Sequence, residues 1–262
     1  MRARKRFGQH FLEPAWVAKL VAAIDPRPDE SFLEIGPGRG ALTAALAPRV
    51  ARLVAVEIDR DLAAALPDRV PAPVRVVEGD FLEIDLAALL AGEPRPLRVA
   101  GNLPYNVATP ILVRLLEAAD GGRTLADATV MLQKEVAERV VARPGSSDYG
   151  PLAVAVALDA DAASVMTLPP GAFRPPPKVT SAVVHLRFRP PAVDVGDRAV
   201  FVRLVRGAFQ QRRKTLLNAL GPPAATLGRE AADLVARAGV DPGIRPGDLP
   251  IEGFAALSRA VL

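Results

Sequence analysis

The sequence predicts an α/β fold, in which strands alternate with helices to form one sheet, followed by a small all-α domain. Three observations predict it. Short apolar runs rich in Val, Leu and Ile alternate with segments of helical spacing over the first two thirds of the chain. One of these runs, Phe32-Leu33-Glu34-Ile35, enters a glycine-rich turn, Gly36-Pro37-Gly38-Arg39-Gly40, that opens a helix. Beyond a linker at Arg189-Pro190-Pro191-Ala192 to Gly196 the strand pattern stops, and residues 191–262 carry helical spacing alone.

Composition narrows the function classes. The chain has 262 residues, of which 50% are hydrophobic, enough for one large and one small core and too apolar for disorder. It has no cysteine and two histidines, His10 and His185, far apart in sequence. Disulfides and thiolate metal sites are excluded, no metal site is expected, and a reducing cytoplasm fits. No run approaches the roughly 18 apolar residues of a membrane span. The longest, Tyr149 to Leu158, sits between Asp148 and Asp159, so a soluble protein is expected. Net charge is +4, and its placement says more than its size. Arg2, Arg4, Lys5 and Arg6 open the chain, and Arg212-Arg213-Lys214 forms a second knot. Such clusters can pair with phosphates, and a plain solvated surface run is the alternative for the opening read alone. The opening is too short and too poor in serine for a mitochondrial address.

The elements follow in order. Trp16, Val17, Leu20, Val21 and Ile24 share one helical face, which predicts a helix over Pro14 to Ile24. Phe32 to Ile35 reads as a buried strand and Ala41 to Leu46 as the helix after the turn. The next strand, Arg52 to Val56, leads to Glu57, 21 positions after Gly36. From there a carboxylate can accept hydrogen bonds from both ribose hydroxyls of a nucleotide-like cofactor. A third strand, Val74 to Val77, runs into Glu78-Gly79-Asp80-Phe81, where Asp80 can accept from an adenine amino group beside the Phe81 ring. Leu97 to Ala100 is a fourth strand, followed by a helix over Val107 to Ala118. Ala128 to Leu132 is a fifth strand and Gln133 to Val141 another helix. Gly150 to Leu158 is ambiguous in pattern, and its alanines tip it towards helix. Val165 to Leu168 and Val179 to Phe188 read as a closing strand pair, with Ala182, Val184, Leu186 and Phe188 facing inward and His185 outward in a structural role. Arg198 to Gln210, Thr215 to Leu220, Glu230 to Ala238 and Phe254 to Leu262 are the helices of the last domain.

Two cofactors compete for the glycine-rich turn, because Gly36-x-Gly38-x-x-Ala41 also satisfies the loose dinucleotide pattern. A pyrophosphate would meet acids at Glu34, Glu57 and Asp80 with only Arg39 to balance them. A cationic sulfonium cofactor with an adenosine and an amino-acid tail suits that rim better, so the charge pattern favours S-adenosylmethionine.

Asn102-Leu103-Pro104-Tyr105 stands at the end of the fourth strand. Ordinary strand-to-helix turns use these residue types too. As chemistry, the stretch offers a side-chain amide, main-chain carbonyls stiffened by proline and an aromatic face, which together suit a planar base carrying an exocyclic amine. Further on, Pro169-Pro170-Gly171-Ala172-Phe173-Arg174-Pro175-Pro176-Pro177-Lys178 reads as a stiff loop without regular structure. Its aromatic, Phe173, is a candidate to stack on a base opposite Tyr105. Burial against the core is the alternative.

Taken together, these stretches resemble the ribosomal RNA adenine N6-dimethylases, in particular those of the bacterial small subunit. The likeness is carried by Arg4-Lys5-Arg6-Phe7-Gly8-Gln9-His10-Phe11-Leu12, Glu34-Ile35-Gly36-Pro37-Gly38, Val56-Glu57-Ile58-Asp59, Gly79-Asp80, Gly101-Asn102-Leu103-Pro104-Tyr105, Leu132-Gln133-Lys134-Glu135-Val136, Phe173-x-Pro175-Pro176-Pro177-Lys178-Val179-x-Ser181 and Gln211-Arg212-Arg213-Lys214-Thr215. It runs nearly end to end. The resemblance implies a Rossmann-like S-adenosylmethionine-dependent methyltransferase sheet with a reversed last strand over residues 1–190, which include a basic N-terminal arm. It implies a helical, rRNA-binding C-terminal domain over 191–262. His10, Leu12, Gly36, Glu57, Asp80 and Asn102 are then expected to line the cofactor site, although relatives carry asparagine at position 10. Asn102, Leu103, Pro104, Tyr105 and Phe173 are expected to act on the base. The implied substrate is a pair of adjacent adenosines near the 3′ end of 16S rRNA in the 30S subunit, each methylated twice at N6. The implied setting is ribosome biogenesis, with a monomer working in the cytoplasm.

Overall fold

A computed structural model describes residues 10–70 and 74–261 of the chain. The basic opening at Arg2 to Arg6 and the final Leu262 lie outside the described residues. Two compact units divide the chain, one of Met1–Ala137 with Asp161–Pro190, the other of Glu138–Ala160 with Pro191–Leu262.

The first unit starts with a two-residue strand β1 (Phe11–Leu12) and helix α1 (Pro14–Ile24), whose proline sits where a missing N–H costs nothing. The alternation then runs β2 (Ser31–Ile35), α2 (Ala41–Leu46), β3 (Arg52–Glu57), α3 (Arg60–Ala65), β4 (Val74–Glu78), α4 (Leu86–Leu89), β5 (Leu97–Asn102), α5 (Ala108–Ala118), β6 (Leu125–Gln133) and α6 (Lys134–Val140). The short helices α3 and α4 are not expected from apolar spacing. Each is started by an aspartate, Asp59 accepting the Asp61 N–H and Asp85 those of Ala87 and Ala88. After α7 (Pro151–Asp159) come β7 (Ala160–Leu168), β8 (Phe173–Arg174) and β9 (Ser181–Phe188).

Seven strands form one sheet in the order β4-β3-β2-β5-β6-β9-β7. Strands β4 to β6 in that order pair in parallel, and β9 runs antiparallel to β6. The chain moves outward from β2 to β4 and then returns to the other side of β2 with β5. Ligands of open α/β sheets bind where the order reverses in this way, at the C-terminal ends of the two central strands. All five residues of β2 are buried, as expected of a central parallel strand covered on both faces. The same cover explains a departure in β9. Ala182, Val184, Leu186 and Phe188 are buried as their alternation predicts, but Val183 on the opposite face is also fully buried. His185 has the structural setting expected of it, its Nδ1 lying 3.0 Å from Thr129 Oγ1.

The second unit joins α7 to α8 (Arg198–Gln210), α9 (Leu216–Thr226), α10 (Ala231–Ala238) and α11 (Ile251–Val261). The sequence boundary at 190/191 coincides with a change of unit, but it assigns Glu138–Ala160 to the wrong side. Tyr149, Ala153, Val154 and Leu158 belong to the same apolar core as Phe201, Leu204, Leu220 and Phe254. The Tyr149 hydroxyl donates to the Leu249 carbonyl at 3.0 Å, and Arg198 pairs with Asp159. Among the described residues no helix is long and apolar enough to cross a membrane.

Candidate active site

β2 ends at Ile35, and the chain turns into α2 through Gly36 and Gly38, at φ 68° and 60°. A Cβ on Gly38 would stand 3.2 Å from the Phe11 ring, so this position needs glycine for its backbone angle and for the approach of β1. Glu57 closes β3 beside the turn and is 4% exposed. Its Oε2 accepts the Gly38 N–H at 2.8 Å and its Oε1 accepts the Asp59 N–H at 2.9 Å. Burial pushes this carboxyl upward in pKa, the amide donors pull it back, and the charge of Asp59 adds to the rise. A carboxylate placed here uses an amide that a pyrophosphate would need, and it repels the phosphates. Each oxygen keeps a further lone pair, which suits two ribose hydroxyls. The turn therefore fits an S-adenosylmethionine-like ligand better than a dinucleotide.

β4 leads to a second group. Asp80 Oδ1 accepts the Leu82 N–H at 2.8 Å. Arg114, from α5, donates to the carbonyls of Leu82 and Ile84 and lies with its guanidinium carbon 5.9 Å from the centre of the Phe81 ring. The loop that carries Asp80 and Phe81 is thus tied from within and from above. Both residues line a cleft of about 520 Å³ with Ile35, Val56, Val107 and Ile111. A mostly apolar lining with one carboxylate, Asp80, suits a purine bearing an amine.

The third group is at the end of β5. A Cβ on Gly101 would stand 2.6 Å from the Ile35 carbonyl oxygen, so glycine alone lets β5 lie this close to β2 where both strands end. The Asn102 side chain then projects from the strand end, and its Nδ2 donates to the His10 carbonyl at 2.8 Å. That bond fixes the amide, leaving Oδ1 as the free acceptor. Leu103 is anchored by its N–H to the Met131 carbonyl at 3.1 Å and its side chain is buried. Tyr105 is half-buried, with its hydroxyl 2.5 Å from Ser181 Oγ. Burial raises the Tyr105 pKa and the Ser181 contact opposes the rise. The His10 ring lies against that of Tyr105, with centroids 5.6 Å apart and planes 26° from parallel, and its Nδ1 contacts the Pro175 carbonyl at 2.8 Å.

A cleft of about 840 Å³ brings together His10, Leu12, Gly36, Glu57, Asn102, Leu103, Pro104 and Tyr105. Asp80 lines the neighbouring cleft, which shares Gly36, Ile58 and Pro104 with the first. Phe173 lines neither. It is fully buried, in one apolar cluster with Leu20, Ile24, Leu168 and Ala172, and therefore presents no face to a base. The expectation that it stacks opposite Tyr105 is corrected: the ring against Tyr105 belongs to His10. Sequence reasoning missed Arg114 and gave Ser181 no role of its own, because their partners are made by folding. Glu34, a lone acid inside an apolar strand run, is legible in sequence as one of the acids around the turn. Among the described residues no group of three or more His, Asp or Glu is placed to hold a metal ion.

The sequence pattern of the family described as Ribosomal RNA adenine dimethylase matches residues 1–259. The chain belongs to that family. A relative from Geobacter metallireducens named Ribosomal RNA small subunit methyltransferase A is 47% identical over 268 aligned positions, covering 100% of this chain and 96% of the relative. The crystal structure of a dimethyladenosine transferase from Plasmodium falciparum matches with a TM-score of 0.78 at 25% identity, covering 95% of this chain and 96% of that one. The 23S rRNA methyltransferase ErmE matches with a TM-score of 0.64 at 26% identity, covering 96% and 99%. The sheet with its reversed β9 and the helices after it are thus the fold of an adenine dimethylase. Within that fold the groove around the end of β2 is bounded by the acids Glu34, Glu57 and Asp80 and by the Asn102 amide.

Proposed function

We propose that this chain dimethylates N6 of two adjacent adenosines near the 3′ end of 16S rRNA in the 30S subunit, with S-adenosylmethionine as methyl donor. The observation that carries the reading is an oriented Asn102 amide and a Tyr105 ring on one side of β2, with Glu57 inside the glycine turn on the other. Glu57 is placed for the ribose, Asp80 and Phe81 for the cofactor's adenine, and Gly36, Leu12 and His10 for the methionine end. When bound, S-adenosylmethionine supplies an electrophilic methyl on a cationic sulfur.

The protein's task is to make a poor nucleophile attack. The lone pair of adenine N6 is delocalised into the ring, so attack requires the nitrogen to become pyramidal. Asn102 Oδ1 and the Leu103 carbonyl accept its two hydrogens and favour that geometry, an arrangement fixed before the substrate arrives. After the first methylation one N–H remains, and one acceptor is enough to hold it. Tyr105, tethered by Ser181, offers the stacking face, and a base entering on the side covered by His10 moves that ring aside. The alkylated nitrogen is acidic and releases its proton to water.

Pocket residues recognise an adenine without knowing its address, so selectivity needs contacts to phosphates and shape elsewhere. Arg203, Arg206, Arg213 and Lys214 are exposed in the helical unit and supply that grip. Arg212 is engaged otherwise, donating to the carbonyls of Ser147 and Ser146 at 2.6 and 2.8 Å. The reading places the chain in the cytoplasm as a monomer acting in ribosome biogenesis. Its test is mass spectrometry of rRNA after isolated 30S or 50S subunits are incubated with protein and cofactor. Two dimethyladenosines are expected in 16S rRNA, and Asn102→Ala is expected to slow turnover by a factor on the order of 10² or more. Product confined to 50S rRNA would overturn the choice of substrate.

A further inference from the structure

Glu34 lies within β2, in register with Ala55 on β3 and Ala100 on β5. Both neighbours end in methyl groups, so neither adjacent side chain offers a donor. Glu34 is 1% exposed, and its Oε2 has no hydrogen-bond partner among the described residues. Thr43 faces it from α2, near enough to favour the charged form, yet the Thr43 hydroxyl is itself left without a hydrogen bond. Glu57, on β3, opposes ionisation by its own charge. The other titratable groups around this cleft are Arg39 in the glycine turn, His10 before β1 and Tyr105 after β5. Burial dominates and pushes the carboxyl up to about 8. A buried carboxyl with an unmatched oxygen is costly to keep. Glu34 lines the cleft beside Gly36 and Asn102, so a ligand seated there can supply what the fold does not.

We propose that Glu34 is a proton-exchanging counter-ion for the methionine end of the cofactor: neutral in the empty cleft, it becomes a carboxylate when the cation is seated. This rests on the cofactor reading above. In the exchange the carboxyl O–H bond breaks, its electron pair stays on oxygen and the proton passes to solvent. A nearby positive charge favours the ionised form, and it replaces the donor that neither neighbouring strand provides. Near pH 7.5 the exchange releases about 0.5–1 proton per cofactor bound. Through Glu34, affinity then rises with pH by at most about tenfold per unit on approaching pH ~8, and this contribution is constant above it.

The experiment is calorimetric titration of the full chain with S-adenosylmethionine at pH 7.5, in two buffers of different ionisation heat, such as phosphate and Tris. Wild type is expected to show a buffer-dependent enthalpy worth about 0.5–1 proton released. In Glu34→Gln only protons exchanged by the ligand's own groups should remain. Should that variant fail to fold, wild type is titrated from pH 7.5 to 9.5 and the proton taken up by the ligand's own amine, which titrates in the same range, is subtracted; the remaining release, attributed to Glu34, must fade. An enthalpy that does not depend on buffer, or an equal proton count in the variant, or a release constant with pH, overturns the proposal. Absence of binding, checked by equilibrium dialysis with labelled cofactor, removes the cofactor reading and this inference together.

Discussion

Glu34 and Glu57 sit on adjacent strands, and burial pushes both carboxyls upward in pKa, but they are supported differently. Glu57 holds two main-chain amides and is ready to accept more bonds. Glu57→Ala is expected to weaken S-adenosylmethionine binding by about 1.5–3 kcal/mol, the range for a charged hydrogen-bond acceptor. Calorimetry reads this directly, and unchanged affinity would remove Glu57 from the site. Glu34 affects stability with a definite sign. Its folded pKa of about 8 lies above the ordinary value of 4.5, so the native state keeps a proton that the unfolded chain loses. Its contribution is complete below about pH 4.5 and is lost as pH rises through about 8. The cofactor-free protein should therefore lose more melting temperature between pH 5 and 8 than Glu34→Gln does. Comparing the two proteins cancels the other raised acids, Glu57 and Asp127.

At the scale of elements, a strap is built from two pieces that look weak in sequence. Phe11 and Leu12 pair with Arg174 and Phe173 as a two-stranded antiparallel ladder, and the Glu13 N–H extends it to the Ala172 carbonyl at 2.9 Å. The proline-rich stretch expected to lack regular structure thus carries β8, and Phe173 pins it to the core. This is what brings His10 over Tyr105 and its carbonyl to Asn102. Phe173→Ala is expected to cost about 3–5 kcal/mol of stability by opening a cavity. Phe173→Leu, which keeps most of the volume, should retain both folding and dimethylation. Denaturant melts and methyl-transfer assays on the pair separate packing from base stacking; loss of transfer in a stably folded Phe173→Leu would restore the ring to the site. Packing also decides α9. Its sequence pattern stops at Leu220 before Gly221-Pro222-Pro223, yet the helix continues to Thr226 with both prolines inside. Burial of Pro223 and Ala224 outweighs the missing N–H donors.

On the scale of the whole molecule, the basic knot divides its labour. Arg212 ties the loop at Ser146 and Ser147, whereas Arg213 and Lys214 are exposed beside Thr215, the residue that starts α9. The double change Arg213 and Lys214→Ala is expected to leave cofactor affinity and melting temperature in place while weakening binding to 30S particles. It should flatten the slope of log K against log salt by about 1.4–1.8, since each phosphate contact contributes roughly 0.7–0.9. Arg212→Ala should lower stability, because two carbonyls lose their donor. Equal salt slopes for wild type and the double variant would place the rRNA grip elsewhere.

The sequence by itself determined the alternation of strands and helices, the glycine turn, the spacing from Gly36 to Glu57 and the Asn102 to Tyr105 stretch. Each rests on local chemistry: hydrophobic period, the freedom of glycine at positive φ, and acids placed at strand ends. Tertiary structure alone decided that Val183, on the second face of β9, is buried as well, that residues 138–160 join the helical unit, and that Phe173 packs inward while His10 meets Tyr105. Side-chain partners made across many residues, such as Arg114 with the Asp80 loop or Ser181 with Tyr105, have no local pattern to betray them. They exist because the strand order sets distant segments side by side, and a single sequence does not encode that order in any one window.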